Sequence, residues 1–571
     1  MLPEEKRILM ECAVGRGEPD LVLKNATVAD VFTETFRRAD IAVKNGYITG
    51  VGAYSAGKER DVGGKIVVPG FIDAHVHMES SMASPDIFAE YLLPHGTAAI
   101  IADPHEIANV CGEEGIRYML KDSAGCRVGV YFALPSCVPL GPLDHNGAAV
   151  GVREIARLKD EPRVVALGEV MNYEAVLSGE GDLLEKIGLM SGKTIDGHSP
   201  GLTGKRLQAY RIAGAETDHE CQSYEEALER LRYGFFVQVR EGSAAKNLEA
   251  VLGGALRDGI SLDRFVFCTD DIHLDDVARF GHIDRCVRMA VELGMEPIKA
   301  VKIATLNAAR AYGFKDRGAV APGYRADLVV LDDLKKVSIS EVYREGVSLR
   351  ELPPPGSAVP AGKRLLHSVH IPRLAPDCLK MKSGGPFPVI GIVPGQIVTR
   401  KLIMNLPGRD GEFFPSEDIL KIAVVQRHDG SGRIGLGAVK GFGLKNGAAA
   451  STVAHDSHNL IVIGDNDADM LAAVEELKAC GGGYTLVRGQ KPVKTLKLNI
   501  AGLFTDDRNV DLVKELGDMS AFAHVMGVPE NIDVFQNLSF LSLPVIPELR
   551  ITDSGLFDVG ENRFYPSAAF R

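Results

Sequence analysis

The stretch PGFIDAHVH, residues 69–77, decides the fold of this 571-residue chain, because it ends an apolar run with two histidines one residue apart. In a β-strand, side chains two residues apart project to the same face, so His75 and His77 can bind one cation from adjacent positions. The alternative is a chance pair of surface histidines. The apolar residues before the pair are typical of a buried strand, and imidazole is the commonest metal ligand, so the pair predicts a metal site.

Seven further apolar runs follow, with helix-like segments between several of them. The runs cover residues 97–104, 127–136, 164–170, 193–200, 215–220, 235–243 and 264–271. The helix-like segments cover residues 84–96, 113–123, 202–214 and 224–234. This alternation predicts an α/β protein built on a (β/α)8 barrel of the TIM type, in which catalytic groups lie at the carboxyl ends of parallel strands.

Polar side chains stand near the carboxyl ends of four of these runs. They are Glu169 on the fourth strand, His198 on the fifth, His219 on the sixth and Asp270 on the eighth. Each has a structural alternative. Glu169 could be a barrel residue paired with a cationic side chain, Asp270 could cap the next helix, and a lone histidine is more often structural than a ligand. Together with the first histidine pair, however, they offer six ligands, more than one tetrahedral zinc uses, and this number favours a site for two metal ions.

The composition is that of a large enzyme rather than a nucleic-acid-binding protein. Lys and Arg number 64 against 76 Asp and Glu, a formal net charge of −12, and no run of basic residues is present. The N-terminus lacks the apolar core of a signal peptide, and no stretch approaches the ~20 apolar residues of a membrane span. We therefore expect a cytoplasmic protein with a small-molecule substrate and no membrane partner. Nine cysteines at irregular spacing favour reduced thiols over a disulfide framework.

We expect the chain to be organised in four segments, with the following bounds and roles. Residues 1–66, which contain an Asn45-Gly46 hairpin signal, form the first part of a discontinuous small β-sandwich domain. Residues 67–318 form the metal-dependent barrel, and residues 319–364 return to the small domain and then serve as a linker, in which the proline-rich residues 353–356 favour extended chain. Residues 365–571 form an additional C-terminal α+β domain that covers the barrel mouth.

Several motifs resemble those of the amidohydrolase superfamily, whose signature is visible in residues 69–77 and again in residues 305–309 and 318–330. Narrower motifs are similar to those of the bacterial and archaeal adenine deaminases. They are residues 77–81 (HMESS), 102–110 (ADPHEIANV), 167–172 (LGEVMN), 196–198 (DGH) and 455–459 (HDSHN). The resemblance covers nearly the whole chain.

One departure from the wider superfamily discriminates among its members. Many two-metal members carry a carbamylated lysine at the end of the fourth strand, whereas this chain has Glu169 and no lysine in residues 164–172. A glutamate bridging two cations directly is what the adenine deaminase resemblance implies. The other deaminase chemistry, with one zinc held by His-x-Glu and Cys-x-x-Cys, is excluded because no two cysteines have that spacing.

The resemblance implies hydrolytic deamination of adenine to hypoxanthine and ammonia, in purine salvage, by a hydroxide that two divalent metal ions activate. It favours Mn²⁺ or Fe²⁺ as the metal and a homodimer as the assembly. Two alternatives stay open: a cyclic-amide hydrolase of the dihydroorotase or hydantoinase type on the same barrel, and a non-catalytic barrel scaffold. A scaffold usually loses metal ligands, whereas all six candidates are present here.

Two carboxylates are candidate catalytic groups. Asp270 is placed to bind metal and also to take a proton from the hydroxide and pass it to the departing amine. Glu106, just past the second strand, is the candidate acid for a ring nitrogen, with a capping or surface glutamate as the alternative. The candidate substrate-binding residues are His105, Ser80, His455, Asp456 and His458.

Overall fold

The computed structural model describes residues 2–143, 145–179, 181–353, 359–394, 396–416 and 418–566. The predicted proline-rich linker begins at Pro353, and its other three residues lie outside these ranges. Within the ranges, none of the helices combines the length and apolar composition that a bilayer crossing needs. The nine cysteines all lie in described parts of the chain, and none forms a disulfide.

The chain begins with one helix and five strands that precede the barrel. They are α1 (Pro3–Ala13), β1 (Leu21–Asp30), β2 (Thr35–Lys44), β3 (Tyr47–Gly52), β4 (Glu59–Asp61) and β5 (Ile66–Pro69). The turn between β2 and β3 holds Asn45 at φ 50° and Gly46 at φ 76°, the positive values that a tight hairpin turn requires. The Asn-Gly signal therefore forms the hairpin that the sequence predicts.

The barrel strands come next along the chain. They are β6 (Phe71–His77), β7 (Thr97–Ala102), β8 (Gly129–Leu134), β9 (Val164–Val170), β10 (Thr194–Gly197), β11 (Thr217–Asp218), β12 (Phe236–Arg240), β13 (Phe265–Cys268) and β14 (Asp270–Asp271). Parallel pairing gives the orders β10-β9-β8-β7-β6-β14 and β11-β12-β13. β13 and β14 are one strand interrupted at Thr269, and the Glu216 N–H donates to the Ile195 carbonyl (2.8 Å) between β10 and β11. The eight strands thus close, and the predicted (β/α)8 barrel is confirmed.

Helices follow the barrel strands and cover the outside of the barrel. They are α2 (Pro85–Leu92), α3 (His105–Cys111), α4 (Glu113–Asp122), α5 (Val152–Leu158), α6 (Tyr173–Ser178), α7 (Gly181–Leu189), α8 (Gly204–Ala213), α9 (Tyr224–Arg232), α10 (Leu248–Asp258), α11 (Leu274–Phe280), α12 (Ile283–Glu292), α13 (Pro297–Lys302) and α14 (Ala308–Ala311). Helix α12 shows why they form: Ile283, Cys286, Val287 and Ala290 recur at helical spacing and are all buried, so one apolar stripe packs inward.

The strands β15 (Leu328–Asp333), β16 (Ser338–Arg344) and β17 (Val347–Ser348) return to the strands that precede the barrel. β15 pairs antiparallel with β5, which gives the order β17-β16-β15-β5-β1-β2-β3, with β4 beside β1. The eight strands on the two sides of the barrel therefore belong to one hydrogen-bonded sheet.

The remainder of the described chain is a mixed α/β unit. It contains α15 (Lys363–Leu366), β18 (Pro386–Ile392), β19 (Thr399–Asn405), β20 (Gly408–Arg409), β21 (Glu412–Phe413), β22 (Ile419–Val425), β23 (Ile434–Lys440), β24 (Ala448–Ser451), β25 (Leu460–Gly464), α16 (Asp467–Cys480), β26 (Gly483–Arg488), β27 (Lys491–Lys497), α17 (Leu512–Val525), α18 (Val534–Phe540), β28 (Leu549–Thr552), β29 (Gly555–Asp558) and β30 (Arg563–Pro566). Its main sheet has the order β19-β18-β23-β22-β25-β24-β26-β27.

This C-terminal unit is docked on the barrel close to the ends of the first strands. The Ser84 N–H donates to the Thr505 carbonyl (2.9 Å), and the Thr505 N–H donates to the Met82 carbonyl (3.0 Å). A continuous buried apolar cluster runs from the barrel helices into the C-terminal sheet. The docking brings the loop between β24 and β25 against helix α3, where Glu106 lies.

Candidate active site

The six predicted metal ligands meet at the carboxyl ends of the barrel strands. His75 and His77 are in β6, Glu169 is in β9, His198 and His219 directly follow β10 and β11, and Asp270 begins β14. Five of these side chains are buried and His198 is nearly so. The closed barrel thus converts a scattered set of residues into one polar cluster.

Glu169 lies between two pairs of imidazoles. Its Oε1 is 2.9 Å from His75 Nε2 and 2.7 Å from His77 Nε2. Its Oε2 is 2.9 Å from His198 Nδ1 and 3.6 Å from His219 Nε2. Within each pair the two facing ring nitrogens are 3.2 Å apart. One carboxylate therefore faces two separate ligand pairs, which is the arrangement of a group shared by two cations.

Hydrogen bonds behind the first histidine pair set which ring nitrogens face Glu169. The His75 Nδ1–H donates to Asp196 Oδ2, and the His77 Nδ1–H donates to the Asp103 carbonyl, both at 2.9 Å. Each Nε2 is thereby left as an acceptor, the form that binds a metal ion. Asp103 also accepts the Glu169 N–H at 3.0 Å, so it orients two ligands. Neither aspartate was predicted from the sequence to have a role, although Asp103 and Asp196 lie in the motifs of residues 102–110 and 196–198.

Asp270 divides its two oxygens between different partners. Oδ1 lies 3.1 Å from His77 Nε2, while Oδ2 accepts a 2.6 Å hydrogen bond from Arg240 Nη1. Burial alone raises the pKa of Asp270, but the Arg240 guanidinium holds it well below its usual range. The residue has φ +61°, a conformation that is strained for an aspartate. Asp270 is thus held as a carboxylate with one oxygen directed at the histidines.

Arg240 and Glu220 were not predicted from the sequence to belong to the site. Arg240 Nη1 donates to Glu220 Oε1 at 2.6 Å as well as to Asp270, and all three side chains are buried. Arg240 did carry a signal in the sequence, because a charged residue within an apolar strand costs free energy unless it is paired. Its partners could not be identified from the sequence, because the pairing depends on three different strand ends lying close together in space, and residue spacing does not show this.

The donor set fits divalent cations. The ligand atoms of His75, His77, Glu169 and Asp270 lie within 4.8 Å of one another, and a second such group contains Glu169, His198 and His219. Glu169 Oε1 is buried and has no hydrogen-bond donor in the described part of the chain, a state that costs free energy unless a cation is bound. Nitrogen and carboxylate ligands without cysteine suit Mn, Fe, Co or Zn. The predicted divalent-metal character of the site is therefore supported by its chemistry.

A second polar cluster surrounds Glu106. Its Oε1 lies 2.6 Å from His455 Nδ1 and 3.2 Å from His105 Nε2, and its Oε2 contacts His458 Nε2. The Ala454 N–H donates to His458 Nδ1 (3.0 Å), so Nε2 carries the His458 proton and donates to Glu106.

The protonation of this cluster follows from its contacts. Burial alone raises the pKa of Glu106, but His455, His105 and His458 hold it well below its ordinary value. Burial lowers the pKa of His455, yet the neighbouring Glu106 carboxylate raises it to about 9. At neutral pH the pair is therefore a carboxylate with an imidazolium, and its proton resides on His455.

Both clusters face one cavity of about 500 Å³, a size typical of sites for small ligands. Its apolar roof comes from the C-terminal unit and consists of Ile397, Val398, Phe540, Leu543, Val545, Ile546 and Pro547. Of the candidate substrate-binding residues, His105, His455 and Asp456 line the cavity. Ser80 and His458 are not among its lining residues: Ser80 donates to Asp271, and His458 contacts Glu106 from behind.

Comparison with known proteins agrees with the barrel. Residues 66–349 match the amidohydrolase family, and this chain belongs to that class of metal-dependent barrel proteins. Residues 396–563 match the adenine deaminase C-terminal domain. The chain is 44% identical over 553 residues to an adenine deaminase of Desulfitobacterium hafniense, covering 97% of each protein. It is 45% identical over 556 residues to adenine deaminase 2 of Carboxydothermus hydrogenoformans, covering 96% of this chain and 97% of the relative. Within the amidohydrolases, the chain belongs to the adenine deaminase family.

Proposed function

We propose that this chain hydrolyses adenine to hypoxanthine and ammonia. The observation that carries the proposal is the meeting of two different clusters in one cavity: a carboxylate between two histidine pairs, and a proton-bearing Glu106–His455 pair. Hydrolytic removal of an amino group from a carbon of the purine ring needs both a nucleophile and a proton donor for the ring nitrogen. The identity to adenine deaminases over almost the whole chain supports adenine as the substrate.

We propose that the first cluster holds two divalent cations, Mn²⁺ or Fe²⁺. His75, His77, Asp270 and Glu169 Oε1 would hold one cation, and the other would be held by Glu169 Oε2 with the second histidine pair. Cations of this kind, when bound, make hydroxide available from water near neutral pH.

The residues of the chain then move the protons. Asp270 Oδ1 accepts the proton of the attacking hydroxide and gives it to the departing amine, while Arg240 hydrogen-bonds the other oxygen and keeps it out of the reaction. Glu106 receives the proton that His455 holds 2.6 Å away and delivers it to the ring nitrogen whose electron density rises. His455 regains a proton from solvent, which balances the proton that water loses in forming hydroxide. His105 and Asp456 on the cavity wall orient the base, and the apolar roof excludes bulk water.

The homodimer and the role in purine salvage are proposals that rest on the family resemblance. The enzyme would act in the cytoplasm as a homodimer, in purine salvage, with adenine and water as its partners. Light scattering on the purified protein tests the dimer, since a monomer at micromolar concentration would contradict it.

The decisive experiment compares substrates on metal-loaded protein. We expect ammonia release from adenine and no ring opening of dihydroorotate, hydantoin or allantoin. Protein stripped of metal by a chelator is the control and should release no ammonia. Ring opening of a cyclic amide without adenine turnover would replace the deaminase by a cyclic-amide hydrolase.

A further inference from the structure

Arg550, in β28, is a fully buried arginine that is held by backbone carbonyls. Its Nε donates to Ile546 (2.6 Å), its Nη1 to Phe540 (3.0 Å), and its Nη2 to Ile397 (2.7 Å) and Pro547 (3.0 Å). No carboxylate pairs with it among the residues that the structure describes. A buried cation without a counter-ion is costly, so its hydrogen bonds to these carbonyls must be retained for the group to stay buried.

All four acceptor residues line the candidate active-site cavity, whereas Arg550 itself does not. They belong to three segments of the apolar roof: the turn before β19, the end of α18 and the loop before β28. A single planar guanidinium, with its five N–H donors in a fixed geometry, therefore joins the separate parts of the roof. Burial lowers the pKa of Arg550 to about 9, which agrees with a site that contains no anion.

The strand itself has other anchors. Thr399 Oγ1 donates to the Leu549 carbonyl at 2.9 Å, and the Ile551 N–H donates to the Leu541 carbonyl at 2.9 Å. β28 is also paired with β29 along its whole length. The contacts that depend on Arg550 are thus those to the roof rather than those that hold the sheet together.

We propose that Arg550 is a positioning residue for substrate binding, which fixes the apolar roof against the flat face of the bound ligand without touching it. The identity of that ligand as a purine base rests on the proposed function. The hydrogen bonds of Arg550 reach no metal ligand and no side chain of the Glu106 cluster. Its indirect link to that cluster runs through Phe540, whose ring stacks on His455 with the ring centroids 4.8 Å apart. We therefore expect Arg550 to act mainly on binding rather than on the chemical step.

The test compares Arg550→Lys and Arg550→Gln with Arg317→Lys, a buried arginine that pairs with Asp327 away from the cavity. We expect the KM for adenine to rise roughly tenfold or more in the Arg550 variants, because hydrogen bonds from a charged group are lost. We expect metal content to stay at the wild-type value, since Arg550 does not contact a metal ligand. We expect kcat to change by less than about threefold, because the backbone of His455 stays hydrogen-bonded to Ser539 (3.3 Å) and Ser542 (2.9 Å). The lysine variant should lie between wild type and glutamine.

Hydrogen exchange provides a readout without substrate. The roof residues 396–398 and 540–547 should exchange faster in the Arg550 variants and at the wild-type rate in Arg317→Lys. An unchanged KM together with unchanged hydrogen exchange in the Arg550 variants would overturn the proposal. A joint loss of kcat and metal content would also overturn it, because Arg550 would then be needed only for folding. Wild-type protein that fails to deaminate adenine would instead refute the proposed function, and the exchange comparison would still decide the role of Arg550.

Discussion

Replacing Glu106 by glutamine tests the second half of the proposed chemistry. The glutamine side chain keeps the size of glutamate but has one oxygen and one NH₂ group in place of two acceptors. His458 must donate from Nε2, because its Nδ1 accepts the Ala454 N–H, so one imidazole of the cluster loses its acceptor. The negative charge that raises the pKa of His455 to about 9 is lost at the same time.

Both changes lower the supply of the proton. We expect kcat of Glu106→Gln to fall by about 10²-fold or more, the usual contribution of general acid–base catalysis, with metal content unchanged. The wild-type rate should fall as the pH rises through about 9, where His455 loses its proton. In the variant the same fall should move towards about 6.5, the ordinary pKa of histidine, because the charge that stabilised the imidazolium is absent.

The assay follows adenine absorbance and ammonia release from about pH 6 to about pH 10, on protein whose metal content is measured in parallel. Glu241→Gln is a matched control, since Glu241 is buried and paired with Arg285 (2.8 Å) but does not line the cavity. A variant that kept the wild-type kcat and the wild-type alkaline limb would refute the reasoning and assign Glu106 to the structure of α3.

Three further substitutions, at Glu169, Asp270 and Arg240, test the metal cluster and the arginine that pairs with it. Glu169→Gln removes the carboxylate that faces both histidine pairs, so elemental analysis should fall from two metals per chain towards one; two retained metals would contradict a shared ligand. Asp270→Asn should lower kcat by about 10²-fold or more with a smaller loss of metal than His75→Ala, and near-normal turnover would show that another group carries the proton. Arg240→Met leaves two buried carboxylates without their cation, which costs about 3–5 kcal/mol and should lower the unfolding temperature in a thermal scan. The double variant with Glu220→Gln should recover part of that loss, and an unchanged unfolding temperature in Arg240→Met would show that the pair is not stabilising.

The barrel, and the grouping of the six candidate ligands at its rim, were predictable because a simple geometric rule connects them to sequence. Parallel strands deliver their carboxyl ends to the same rim, so residues such as His75, Glu169 and Asp270 can be placed together from their position after apolar runs. The rule says where a residue lies, but it does not say which oxygen faces which nitrogen. The division of Glu169 between two histidine pairs, and the hold of Arg240 on Asp270, emerge only from distances between side chains.

The second cluster was less predictable because it forms across a domain contact. Glu106 and His458 are 352 positions apart, and no periodicity links a loop of the C-terminal sheet with a helix of the barrel. The motif around residues 455–459 identified these residues as candidates without showing that His458 lies behind Glu106 rather than on the cavity wall. Similarly, nothing in the apolar sequence around residues 540–547 indicated that it forms a roof over a polar floor.

The docking of the C-terminal unit has a consequence for how the protein is made. The ribosome completes all six candidate metal ligands by residue 270, whereas His455 and His458 follow only after about another third of the chain, and the roof segment 540–547 is made later still. During that interval the nascent barrel carries the full ligand set but has neither the imidazoles that face Glu106 nor a cover over its mouth. In the nascent chain the candidate ligand set is therefore complete before the candidate proton-transfer groups and the roof arrive with the C-terminal unit.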